Sequence, residues 1–398
     1  MRACVLVLAA AFVLLAPAGA ARAAPDADLV AALDAAGGAD VVAFELPAPA
    51  RAPHVRAAAA TRAPVATILA VLGDPGHYAA MIPSLIRSRE VGRRGDARVV
   101  EWELEVPLFN LSGTMELRPR PGGLELALVE GDMSPGRVVF ETAARPDGTT
   151  VVELDARLDV TRTSFFLRRI MARSDWGAPA ALSAAAWVAL RAAVARAEHP
   201  GDAAAFRPSA PLTATTPGQP DGGALARGPL AALAARGAAA LVSLAPSGRL
   251  ASVAVAAPSR EAPAALAARV ADPRSWHAFP GWRDIEPKTP SAGEAARVAV
   301  EDSIPFVDFD ATWRLEPPPR ARWWTAIEGA ARGAWFGWQV FPPAGQAPAL
   351  AVLTMSPRLD ATGSIPRRFI EAEPLLEQGM SLALAFVDAV GATRGGAK

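Results

Sequence analysis

The chain is poor in the residues that most often carry chemistry. Of its 398 residues one is cysteine and four are histidine. Cys4 lies within the first residues, so the chain beyond residue 24 has no thiol, which excludes disulfides, a cysteine nucleophile and a thiolate metal site there. His54, His77, His199 and His277 are scattered, with no pair at metal-ligand spacing. No metal and no cofactor is therefore expected. Charge of either sign is not in excess: 40 Lys and Arg face 40 Asp and Glu. That balance implies no strong electrostatic field and argues against a nucleic-acid partner. A Gly-x-Ser-x-Gly elbow, a phosphate-binding loop and a dinucleotide fingerprint are all missing. Proton transfer needs only one acid or base in a pocket, so an enzyme is not excluded by these absences.

Long apolar runs are also missing after the N-terminus. Arg2, the short apolar run Val5–Leu15 and the small-residue sites Ala18-Gly19-Ala20 and Ala21-Arg22-Ala23 read as a secretory signal over residues 1–24. The run is too short to span a membrane. A secreted or periplasmic protein is expected, with an uncleaved anchor as the alternative.

What is present is a long internal repeat. Val106-Pro107-Leu108-Phe109-Asn110-Leu111-Ser112-Gly113-Thr114-Met115-Glu116-Leu117 returns, at an offset of about 200 residues, as Ile304-Pro305-Phe306-Val307-Asp308-Phe309-Asp310-Ala311-Thr312-Trp313-Arg314-Leu315. Asp74-Pro75 matches Asp272-Pro273, Glu130-Gly131 matches Glu328-Gly329, and Thr61-Arg62 matches Ser259-Arg260. Leu33, Gly37 and Val42 match Leu233, Gly237 and Val242. This length implies a duplicated domain. Residues 199–228, rich in Pro, Gly, Thr and Ala, read as a linker between a first domain over 25–198, with an N-terminal helical extension, and a second over 229–398.

Within each copy the pattern alternates. Val100, Trp102, Leu104 and Val106 share a face opposite Glu101, Glu103 and Glu105, the period of a half-buried strand. Met115 and Leu117, Leu124, Leu126 and Leu128, Val138 and Phe140, and Val152 and Leu154 continue it, with Pro- and Gly-rich turns between. Short gaps predict an antiparallel meander. A helix is predicted from Pro64 to Leu72, and long closing helices over Ala178–Ala197 and about 372–390, with apolar stripes through Trp187 and Phe386. The expected class is α+β, each copy an antiparallel sheet curved around its closing helix.

Asp74-Pro75-Gly76-His77-Tyr78-Ala79-Ala80-Met81-Ile82-Pro83 resembles the Asp-x-x-x-aromatic-x-x-x-x-Pro segment that follows the first helix in the START-like, helix-grip superfamily, which includes polyketide cyclase-like and coenzyme Q-binding-like domains. Asp272-Pro273-Arg274-Ser275-Trp276-His277-Ala278-Phe279-Pro280 is similar with a shorter spacing, and Gly363-Ser364-Ile365-Pro366 resembles the family's approach to its closing helix. The resemblance covers about residues 50–198 and 249–392. It implies two tandem domains, each with a pocket for a hydrophobic small molecule, usually without catalysis.

The candidate ligand-lining residues are Tyr78, Met81, Trp102, Leu104, Met115, Phe140 and Trp187 in the first copy, and Trp276, Phe279, Asp302, Trp313, Trp324, Trp338 and Phe386 in the second. By strand parity Trp313, Trp324 and Trp338 face inward, as pocket lining or as core, and their number points to the second copy as the tighter binder. Trp323 and Trp335 fall on the outer face, where they mark a transient membrane contact or a partner surface. Asp302 has inward parity and reads either as a group that orients a polar ligand, or an acid in a cyclase or lyase, or as a solvated residue after a register slip. Glu130 and Glu328 have inward parity too, which makes Glu328 the other candidate acid/base of a cyclase or lyase, or they cap solvated strand ends. The pairs Arg168-Arg169 and Arg367-Arg368 flank a pocket mouth or start a solvated helix. A scaffold whose cavities are filled by side chains is the third class of function.

Overall fold

The fold is described from a computed structural model, for residues 24–45, 53–106, 109–132, 134–158, 176–201, 222–278, 282–288, 295–304, 307–318, 322–343, 345, 347–358 and 374–394. The chain divides into two compact units, one ending at Arg207 and one beginning at Pro208.

The first unit runs α1 (Ala27–Ala35), β1 (Asp40–Glu45), β2 (His54–Thr61), α2 (Val65–Leu72), a 3-10 turn (Pro75–His77), α3 (Tyr78–Met81), β3 (Leu85–Arg94), β4 (Ala97–Val106), β5 (Phe109–Arg120), β6 (Gly123–Gly131), β7 (Gly136–Ala144), β8 (Thr150–Leu158) and α4 (Gly177–Glu198). The second runs a 3-10 turn (Gly222–Ala226), α5 (Gly228–Arg236), β9 (Gly237–Leu244), β10 (Leu250–Ser259), α6 (Pro263–Ala271), a 3-10 turn (Pro273–Ala278), β11 (Trp282–Lys288), β12 (Arg297–Ile304), β13 (Val307–Leu315), β14 (Trp323–Gly329), β15 (Trp335–Phe341), β16 (Ala349–Ser356) and α7 (Pro374–Arg394).

Strand order is β1-β2-β8-β7-β6-β5-β4-β3 in the first unit and β9-β10-β16-β15-β14-β13-β12-β11 in the second. All the described pairings are antiparallel. The meander β3 to β8 thus closes back on β2, and a long helix follows. In each unit that helix packs on the strands where the chain closes: α4 on β2, β8 and β1, and α7 on β10, β16 and β9. This is a helix-grip arrangement of class α+β.

Local chemistry fixes several element ends. Asp26 caps α1, its carboxylate accepting from the backbone N–H of Asp28 and Leu29 at 2.8 and 3.2 Å. Pro64 precedes α2 and Gly73 ends it. Thr61 Oγ1 accepts from the Ala63 N–H at 3.1 Å, and Ser259 Oγ accepts from Glu261 N–H at the same distance, so both helix approaches are turned by the same hydroxyl bond.

Parity runs as expected through β4 to β8, with one interruption. A β-bulge between Thr114 and Met115 makes Thr114 face Glu130 while Met115 faces Leu128. The bulge recurs between Thr312 and Trp313, against Glu328 and Ala326. It takes Glu130 and Glu328 off the inner face, and both are exposed. Gly131 and Gly329 close the bulges with φ of 91° and 85°. A Cβ on Gly131 would lie 2.3 Å from the Ser112 carbonyl oxygen, so only glycine fits there.

One expectation is corrected by the ladders, and one strand lies outside the expected pattern. Val42 pairs with Ala57, and Ala240 pairs with Val255, so with β2 and β10 aligned by their shared threonine/serine turn the counterpart of Val42 is Ala240, not Val242. A two-residue slip keeps every side chain on its face, and so leaves the hydrophobic pattern unchanged. The strand β3 carries no apolar alternation, because it is an edge strand exposed along most of its length. Arg87 and Arg89 instead pair across to Glu103 and Glu101, the latter at 3.0 Å.

Candidate functional site: the inner faces of the two sheets

In the first unit the inner face is built from the apolar side of the meander. Val100, Trp102 and Leu104 on β4, Met115 and Leu117 on β5, Leu126 on β6 and Phe140 on β7 are all buried. Ladder pairing places them together: Val100 faces Met115, Leu104 faces Leu111, Leu117 faces Leu126, and Phe140 faces Leu154. The indole of Trp102 lies over Gly113, where a Cβ would meet ring atoms at 3.0 Å. Its cross-strand neighbour on the same face is Ser88. Met81 on α3 is partly buried.

Trp187 belongs to a different environment. Asp40 on β1 is 1% exposed, and its carboxylate accepts from Trp187 Nε1–H at 2.8 Å and from two nitrogens of Arg191. The group is a buried charge pair with an extra donor, and it ties α4 to β1. Only the isolated Asp in the apolar stretch Val41–Phe44 hinted at it in the sequence.

Tyr78 and Trp276 occupy matching places, four residues after an Asp-Pro. Both are buried, and each donates its polar hydrogen to a carbonyl at the end of the preceding helix: Tyr78 to Leu72, and Trp276 Nε1–H to Val270 at 3.1 Å. Burial pushes the Tyr78 phenol well above its ordinary value, against the opposing charge of Arg98. Arg98 itself donates to the Gly73 carbonyl and to Glu90.

In the second unit the expected inward tryptophans do share a face: Trp324 pairs with Phe336, Trp338 with Leu353, and Trp313 with Ala326. They meet one another in part. Trp276 stands edge-on to Trp324 at 5.0 Å and to Phe336 at 5.3 Å, and Trp313 is edge-on to Phe336 at 4.9 Å. Phe386 on α7 is fully buried. Pairing sets Asp302 opposite Phe309 and Trp282, at the parity of Val298; its side chain, like Phe279 and both arginine pairs, lies outside the described residues.

Trp323 and Trp335 have outer parity as expected, yet they are 3% and 1% exposed. Their rings cross at 5.5 Å, Trp323 lies on Gly337, and Arg322 stands 5.4 Å from the Trp323 ring centre. They form an outer-face core rather than an exposed patch. The 3-10 turn Gly222–Ala226 presses on the same face, with Gly222 against Thr354 and Val352.

The outer face of the first unit is polar instead. His54 lies between Asp155, at 2.8 Å, and Glu45, and Arg56 reaches Asp26 at 3.2 Å. Burial by itself would lower the His54 pKa, but the bonds to Asp155 and Glu45 outweigh it and raise it. Burial would likewise raise Asp155, and its partner His54 with the nearby arginines brings it below the ordinary carboxylate value. Among the described residues no group of three or more His, Cys, Asp or Glu is arranged to hold a metal ion.

No protein-family model matches this chain, and no curated protein matches it. Solved structures do. The di-domain ARO/CYC StfQ from the steffimycin biosynthetic pathway aligns over 83% of this chain and 97% of its own, with 8% identity and a TM-score of 0.28. A STAR-related lipid transfer protein fragment from Xanthomonas axonopodis aligns over 41% of this chain and 95% of its own, with 11% identity and a TM-score of 0.32. A START superfamily protein from Mycobacterium smegmatis aligns over 30% and 87%, with 14% identity and a TM-score of 0.26. At these scores the assignment of a helix-grip fold rests on the strand pairing and helix packing given above.

Proposed function

We propose that this chain is an exported, non-catalytic binder or carrier of a hydrophobic small molecule of the lipid, quinone, steroid-like or polyketide-like kind, held between sheet and closing helix. One observation carries it. The closing helix of the first unit packs on β1, β2 and β8, while buried apolar side chains continue along the same face of β4, β5 and β6. A wall of that composition, beyond the strands the helix packs on, suits an apolar ligand. Export through the N-terminal segment gives such a carrier its use, since apolar molecules cross an aqueous compartment poorly unaided. A cyclase or lyase would need an acid or base on the same wall, and Asp302 is the residue to test for it.

The test is native mass spectrometry of the full chain recovered from the exported fraction of its own host, with binding of the fluorescent probe N-phenyl-1-naphthylamine measured alongside. A lipid-sized mass travelling with the protein, displaced by the probe, is the expected result. A bare chain that leaves the probe dark would end this proposal.

A further inference from the structure

Two buried polar atoms on the first unit's inner face have no partner among the described residues: the Trp102 indole nitrogen and the Ser88 hydroxyl oxygen. Trp102 is 5% exposed. The two residues are directly opposed across β3 and β4, on the face that carries Val100 and Leu104. They come from different strands, and neither is served by a neighbouring backbone group. A buried donor left unmade keeps its full desolvation cost, and native proteins rarely tolerate two side by side. Other buried aromatics of the two units make the contrast sharper. Trp187, Tyr78 and Trp276 are buried aromatics with a polar tip, and each of those tips is bonded. Nor is Trp102 loosely held, since Gly113 leaves the space in which its ring lies against β5.

We propose that Trp102 and Ser88 form the polar end of the first unit's ligand site, and that the ligand is a hydrophobic molecule bearing an oxygen acceptor, a ketone or a phenol-type oxygen. An indole N–H can only donate, so the ligand atom facing it must accept. The serine hydroxyl can donate to the same oxygen, or accept from it if that oxygen carries a hydrogen. A pure hydrocarbon would leave both atoms unpaired, and the site discriminates against it. The second unit has Val300 at the position of Trp102, so this selectivity belongs to the first. The inference rests on the proposed binding of a hydrophobic molecule and names its chemistry.

The experiment is competition against N-phenyl-1-naphthylamine on the full chain, with two matched pairs: 9-fluorenone against fluorene, and 2-decanone against decane. The ketone of each pair should bind roughly tenfold tighter, as one or two neutral hydrogen bonds in a buried site allow. Ser88→Ala should cut that ratio several-fold, and Ser88→Ala with Trp102→Phe should erase it. In proton NMR one indole N–H should shift with fluorenone and not with fluorene, and that signal should be missing in Trp102→Phe. A merely structural tryptophan would lower both affinities of a pair together and leave their ratio. Equal binding of ketone and hydrocarbon by the unaltered chain, or a ketone preference that survives the double substitution, overturns the polar site while hydrophobic binding stands. If neither probe nor hydrocarbon nor ketone binds, the carrier proposal falls and this one with it.

Discussion

The two units run through the same sheet order with the same bulge, yet they solve two of three packing problems in different ways. On the outer face the first unit sets Glu125 against Arg137 at 2.9 Å, and the matching positions of the second are Trp323 and Trp335, ring against ring. On the inner face the first unit buries the group Asp40, Trp187 and Arg191, and the second has the fully buried Ala238 at the position of Asp40, with Phe386 and Val390 fully buried on its closing helix. At the end of the first helix the two agree, a phenol in one and an indole in the other closing a helix carbonyl. The lesson is that this backbone demands parity, a glycine at the bulge and a capped helix end. How a buried position is satisfied, by charge pairing or by apolar contact, is interchangeable, as the near-equivalence of buried ion groups and hydrophobic replacements predicts.

The largest expected effect comes from imposing the first unit's outer face on the second. Trp323→Glu removes a buried indole and buries a carboxylate without its arginine, and should cost about 4 kcal/mol or more. Urea unfolding with hydrogen exchange should show the second unit open and the first unaffected. Glu125→Ala, in contrast, breaks a partly exposed pair and should cost about 1 kcal/mol or less. Comparable losses from the two would mean that the outer faces are not different in kind.

Next is the buried charge group. Asp40→Ala strands Arg191 and should destabilise the first unit by about 3 kcal/mol. The triple substitution Asp40→Ala, Trp187→Phe, Arg191→Val, which makes the group apolar as the second unit's core is, should recover most of that loss. A triple variant no more stable than the single one would show that the two cores are not exchangeable.

A smaller effect tests the shared helix cap. Tyr78→Phe leaves the Leu72 carbonyl without its donor and should cost about 1–2 kcal/mol by urea unfolding. Trp276 should be more sensitive to truncation, because its ring also meets Trp324 and Phe336.

The smallest effect is a pH dependence confined to the first unit. The His54 pKa is raised in the folded state. Its stabilising contribution is therefore complete below the unfolded value of about 6.5 and is lost as pH rises through the folded value. Ser252 occupies the matching position of the second unit and does not titrate. Raising the pH from about 6 to about 9 should thus accelerate exchange in β1, β2 and β8 more than in β9, β10 and β16, and His54→Gln should remove the difference. An unchanged difference in His54→Gln would assign the effect to another group.

Sequence alone determined the periodicities that matter: the meander from Val100 onward, the closing helices, the inward parity of Trp313, Trp324 and Trp338, and the outer parity of Trp323 and Trp335. Period two along a strand is a local property, written residue by residue. Tertiary structure alone decided everything that depends on which strands meet. It made β3 a strand because β4 offered glutamates to its arginines. It turned Glu130 and Glu328 outward through a bulge that no composition announces. It slid the pairing of β9 by two residues, a shift that alternation is blind to because it preserves every face. It buried Trp323 and Trp335, whose exposure depends on what covers the outer face rather than on the strand that bears them. And it separated Trp187, whose N–H is held by Asp40, from Trp102, whose N–H is held by none of the described residues, although both read as the same inward tryptophan: hydrogen-bond satisfaction is a property of neighbours far apart in the chain, and only folding brings them together.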